Sequence, residues 1–159
     1  MSRSVSQLSF SVASRPFVKL DGASKSERTY IDFLVDGASL GEHFRKLGYD
    51  LVSAMTREFL SSERNKATQR LLLVEPPDCP DGRSTLYVCA ECADLGCGAV
   101  TVCVERADYK IVWRDFDYEN DYEPRYNDKN LAILGPFEFD ASQYDETIRL
   151  ALETIDKQP

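Results

Sequence analysis

The chain has one histidine, one tryptophan and two methionines in 159 residues, and its 19 lysines and arginines are outnumbered by 27 aspartates and glutamates. Each shortage excludes something. With His43 the single histidine, any Ser-His-Asp or Cys-His machine would have to be built on it, yet its neighbours Glu42 and Arg45 mark a solvated helix face. The formal charge of -8 and the pI near 4.7 argue against a phosphate-binding surface, because nucleic-acid affinity is built from lysine and arginine. No nucleic-acid partner is expected, and a basic protein partner fits better. Neither G-x-x-x-x-G-K-S/T nor G-x-G-x-x-G occurs, which removes the simplest support for nucleotide chemistry. No apolar run approaches a transmembrane span, and Met1 to Phe10 lacks the apolar core of a signal peptide. The expected compartment is the cytoplasm, with no membrane partner.

What is present is the composition of a folded protein, 43% apolar and 11% aromatic with charges of both signs, and the length suits one domain over residues 1–159. Val5, Leu8, Phe10 and Val12 alternate loosely and read as an edge strand. Residues 28–36 are rich in β-branched and aromatic types and end in Asp36-Gly37, a strand and its turn. Ser39-Leu-Gly-Glu42 matches a capping box, so a short helix is expected near 39–47, stopped at Gly48. Residues 49–69 are ambiguous: Leu51, Val52, Met55 and Phe59 suit a helix face, while Ser61 to Thr68 is polar enough for a loop. Residues 70–74 read as a buried strand before Pro76-Pro77.

Residues 85–90, 99–106 and 109–118 predict three strands of a β-meander, and 131–139 a short edge strand. Val100, Val102 and Val104 are the expected core row of the second, leaving Thr101, Cys103 and Glu105 on its other face. Asp140 or Ser142 caps a C-terminal amphipathic helix carrying Tyr144, Ile148, Ala151, Leu152 and Ile155 at helical spacing. The sum is an α+β fold, a mainly antiparallel sheet with the C-terminal helix packed on it.

Three of the five cysteines, Cys89, Cys92 and Cys97, fall in the turn between the first two meander strands. In a reducing compartment such clustering reads as metal binding, reactive thiol or apolar filler before it reads as disulfide. A zinc site needs three or four converging ligands, and a C-x-x-C pair with Cys97 supplies three. With the hairpin centred on Asp94, Val88 would face Val100 and Cys89 would face Ala99. Cys103 would then lie about 13 Å from Cys89, too far to be a fourth ligand. The favoured alternative uses no cofactor: the thiols fill space, and Asp94, Gly96 and Gly98 shape a strained loop.

The spacing C-x2-C-x4-C-x5-C through Cys103 resembles a zinc knuckle, with Cys97 where that family has histidine and the last interval one residue longer. The segment lacks the basic and base-stacking residues of RNA-binding knuckles, so nucleic-acid binding does not carry over. Over most of its length the chain also resembles a family of small uncharacterised bacterial proteins, through the turn Cys89-Ala-Glu-Cys-Ala-Asp-Leu-Gly-Cys-Gly98 and the strand Val112-Trp-Arg-Asp-Phe-Asp-Tyr-Glu-Asn120. That resemblance implies a bacterial single-domain fold and no catalytic residue.

Between Asp115 and Asp128 stand six acids and one arginine, interleaved with tyrosines. Asp115, Asp117, Tyr118, Glu119, Asp121, Tyr122, Glu123 and Tyr126 are the candidate partner-binding residues, since tyrosines recur at interface hot spots and carboxylates steer a cationic partner. The competing reading packs Trp113, Phe116 and Tyr118 in or beside the core. The expected function is a non-enzymatic acidic binding protein, most specifically a bacterial immunity protein that covers the active site of a basic toxin. The alternative is a cysteine-site protein, either a structural zinc module or a C-x-x-C thiol redox protein. A redox C-x-x-C normally opens a helix, whereas this one continues a strand into a turn.

Overall fold

The computed structural model describes residues 5–93, 95–120 and 128–159, the side chain of Leu95 excepted. β1 (Leu8–Arg15) pairs along its whole length with β4 (Arg28–Val35), and the small hairpin β2 (Val18–Leu20) and β3 (Ala23–Lys25) stands out between them, wholly exposed. Asp36 and Gly37 both take positive φ, 50° and 84°, the two-residue turn that Asp-Gly favours, and β4 returns onto β5 (Ala38–Ser39). Ser39 then caps α1 (Leu40–Lys46) by accepting the Glu42 N–H. Its hydroxyl donates in turn to Asp32 on β4, so the expected capping serine is realised but it also binds a buried carboxylate.

The larger sheet is antiparallel, in the order β10-β9-β8-β7-β6: Phe137–Asp140, Lys110–Glu119, Ala99–Ala107, Ser84–Cys89 and Leu51–Ser53. The expected meander is its centre. Single bridges join this sheet to the β1-β4-β5 sheet at both ends, Ser6 to Phe139 and Tyr30 to Thr56, so the strands curl around one core. Tyr87 of β7 ties the two sheets inside it, accepting the Phe33 N–H at 2.9 Å and donating to Asp32 at 2.6 Å. The one-turn helix α3 (Lys129–Ala132), capped by Asp128, occupies the start of the expected 131–139 strand, which begins only at Phe137. α4 (Ala141–Asp156), capped by Asp140, lays Tyr144, Ile148, Ala151 and Ile155 fully buried against the sheets. The architecture is α+β, as the periodicity predicts.

Two further expectations fail. Residues 61–69, which the sequence does not assign, and the first two residues of the expected strand 70–74 form α2 (Ser61–Leu71), which packs on α4 and over β7. Its buried stripe is Arg64, Ala67, Thr68 and Leu71, a helical spacing disguised because two of its four members are polar. Arg64 reaches out of that stripe to Asp156 of α4 at 3.1 Å and to the Arg57 carbonyl at 2.9 Å. The run Arg70–Val74 is therefore a helix end rather than a strand. Leu71 and Leu72 are buried, Leu73 turns left-handed at φ 62°, and Val74 is exposed.

The β7–β8 register is the second correction: Val88 pairs with Ala99 and Tyr87 with Val100, one residue short of the expected pairing. Ala93 takes φ 57° and donates its N–H to the Cys89 carbonyl, which closes the turn early, and the irregularity between Thr85 and Tyr87 absorbs the slip. Thr101 is also buried rather than outward, because β8 is central and covered on both faces over Ala99–Val102.

Candidate metal centre

Cys89 ends β7, Cys92 sits at the exposed tip of the turn, and Cys97 closes the 3-10 turn Leu95–Cys97 that leads into β8. Their three sulfur atoms lie within 4.8 Å of one another. Four thiolates around zinc at ~2.3 Å stand about 3.8 Å apart, so small side-chain rotations suffice to close the trio on an ion. The thiols crowd one another enough to push the Cys92 ionisation up to about 12, through contact first with Cys97 and then with Cys89. Asp94 lies outside the described residues.

Side chains remote in sequence hold this turn in place. Glu91, between the first two cysteines, accepts from Arg15 at 2.8 Å, from the Ser26 N–H at 2.7 Å and from the Ser26 hydroxyl at 2.9 Å. These contacts, the Arg15 bond foremost, pull the Glu91 carboxyl down to about 2. Arg28 donates to the Ala90 carbonyl at 2.8 Å. Arg15 itself is buried and doubly bonded to Asp50, at 3.1 and 2.8 Å. Behind Cys97, Gly98 takes φ 138° and is crossed by the Tyr118 hydroxyl, so any side chain there would collide with the ring. Tyr118 stacks on Tyr49 with centroids 4.6 Å apart. None of Arg15, Ser26, Arg28 or Tyr49 carries a sequence signal, since their partners are distant in the chain.

The remaining cysteines stay outside the trio. Cys103 lies on β8 opposite Arg114, as the strand geometry predicts for a residue too far along to ligate, and burial raises its ionisation. Cys79 is buried in the loop before β7, and its thiol is likewise raised by burial. His43 is a half-buried residue of α1 whose Nε2 has no hydrogen-bond partner. It does not join the cysteines.

A cleft of about 630 Å³ opens beside the turn, between α2 and the outer face of β7, with Cys92 and Ala93 at one end. Its walls include Phe59, Leu60, Ala67 and Val88.

Of the acidic partner-binding candidates, Asp115 is exposed, with φ 58° and an ion pair to Arg114. Asp117 is buried and Glu119 half-buried, and both pair with the buried Arg83, at 3.5 and 2.5 Å. Tyr118 is the stacked residue over Gly98. Trp113 and Phe116 are core residues. Asp121, Tyr122, Glu123 and Tyr126 lie outside the described residues. Comparison with protein-family models, curated proteins and solved structures returns no match, so the resemblance to a bacterial family rests on the residues quoted for it and the site is read from its own geometry.

Proposed function

We propose that this protein binds zinc, with Cys89, Cys92 and Cys97 as thiolate ligands, and that the ion locks the β7–β8 connection beside the cleft. The observation that carries this reading is the convergence of three sulfurs from a turn anchored through the Glu91 carboxylate by Arg15 and Ser26 and through the Ala90 carbonyl by Arg28. A filler role suits half-buried Cys89 and Cys97 but not Cys92, which is exposed. Thiolates select zinc, copper(I) or iron–sulfur clusters, and a single compact trio without a fourth cysteine in reach suits one zinc ion.

Protein purified without chelator should carry one equivalent of zinc by elemental analysis. Free zinc at a hundredfold excess over its dissociation constant should raise the unfolding free energy by about 2.7 kcal/mol. Cys92→Ser should lose both the metal and the gain. Zinc-free protein whose stability ignores added zinc would overturn the reading.

A further inference from the structure

The three cysteines leave one position of a tetrahedral ion unfilled, and the surroundings say what suits it. Among the described residues no fourth histidine, cysteine, aspartate or glutamate joins the sulfur trio. The nearest acid along the chain, Glu91, is turned away from the sulfurs' task by its three bonds to Arg15 and Ser26. Zinc sites with three protein ligands keep the fourth place for water or a bound molecule. Here Cys92 is at once a member of the trio and part of the cleft wall, so an ion on the trio sits at the end of that cleft. The space, about 630 Å³, is that of a pocket for a small molecule.

The charges of the lining choose the ligand. Four carboxylates line the cleft, and three of them are already paired: Glu58 with Arg57, Asp78 with Arg70, and Glu91 with Arg15 and Arg28, so among the described residues Glu63 is the lining carboxylate without an ion pair. Zinc on three thiolates adds a further formal negative charge. An incoming anion would meet repulsion from both, whereas a neutral nitrogen donor meets none and a cationic group on the same molecule is attracted. Imidazole and amine nitrogens are also good zinc donors. The apolar walls Phe59, Leu60 and Val88 accommodate the carbon body of such a molecule.

We propose that the zinc held by Cys89, Cys92 and Cys97 has its fourth position open to the cleft beneath α2, and that this position takes a small cationic nitrogen-donor ligand, an imidazole or amine carrying a second positively charged group. The proposal rests on the zinc reading above. Replacing zinc by cobalt(II) makes the two separable, because sulfur-to-cobalt charge transfer reports the trio while the visible ligand-field bands report the fourth position.

The full-length cobalt protein is titrated with histamine, imidazole and azide. The expected result is a one-equivalent charge-transfer band, ligand-field bands that shift with histamine at several-fold lower concentration than with imidazole, and no shift with azide. Glu63→Gln, an exposed change in the cleft wall, should narrow the gap between histamine and imidazole without altering the charge-transfer band. Absence of the charge-transfer band overturns the zinc reading and this one with it. A normal band with ligand-field features indifferent to all three probes, or most responsive to azide, overturns only the open cationic site. Asp94→Ala provides the last arm: a change in the ligand-field bands of the unliganded protein would show that the chain fills the fourth position itself.

Discussion

Arg83 is almost completely buried, and three carboxylates surround it: Asp81 at 2.7 Å, Asp117 at 3.5 Å and Glu119 at 2.5 Å. A guanidinium taken out of water is tolerated only while such partners remain. Asp117 does more than pair, since its carboxylate also accepts the Tyr118 and Asp128 N–H groups. Asp117→Lys should therefore cost about 3 kcal/mol or more in urea unfolding, by setting two cations side by side in the interior. Glu91 offers a milder test on the surface. Its carboxyl is held below the ordinary 4.5, down to about 2, so the ionised form is favoured by folding. The stabilisation is complete above the unfolded value and is lost as pH falls from about 4.5 towards 2. Unfolding curves of the parent should lose stability through that window, and Glu91→Gln should flatten its share of the loss while weakening the anchor of the cysteine turn.

α4 and α2 show how elements lock together through one hydroxyl. Tyr144, fully buried on α4, accepts from the Trp113 indole N–H of β9 at 3.0 Å and donates to the Leu71 carbonyl at the end of α2 at 2.8 Å. Phe33, Trp113, Phe139 and Tyr144 meet edge to face or stacked around that bond pair, with Trp113 centroids 5.9, 5.2 and 5.9 Å from the other three rings. Tyr144→Phe keeps the ring and removes the bridge, leaving a buried donor and acceptor unmet. It should cost about 1–3 kcal/mol in chemical denaturation, with the metal content unchanged.

Over the entire surface the net charge of -8 remains the argument for a basic protein partner. No helix among the described residues is long and apolar enough to cross a membrane. The immunity-protein function expected from the sequence would need a face, and Asp117 and Glu119 are committed to Arg83. A test is therefore better aimed at Asp121 and Glu123. Co-expressed with a toxin-like product of a neighbouring gene, Asp121→Lys with Glu123→Lys should slow association and reduce its salt dependence, with the melting curve unchanged. Equal protection by the double variant and the parent would count against this segment as the inhibitory surface.

Periodicity and turn chemistry alone determined the meander, the Asp36-Gly37 turn, the Ser39 and Asp140 caps and the C-terminal helix, because those signals are local and each residue reports its own conformation. They also marked Cys89, Cys92 and Cys97, since ligands from one short turn declare themselves by spacing. α2 was invisible because its buried stripe depends on Arg64 finding Asp156, 92 residues away. The hairpin register depended on Ala93 entering a left-handed turn that its side chain does not advertise. Asp117 looked like a surface carboxylate until Arg83 was folded against it. Only the tertiary structure could bring Arg15, Ser26 and Arg28 to the cysteine turn across separations of 62 to 76 residues, or set α2 over β7 to form the cleft. A long-range contact is a property of two segments meeting, and neither segment's sequence contains it.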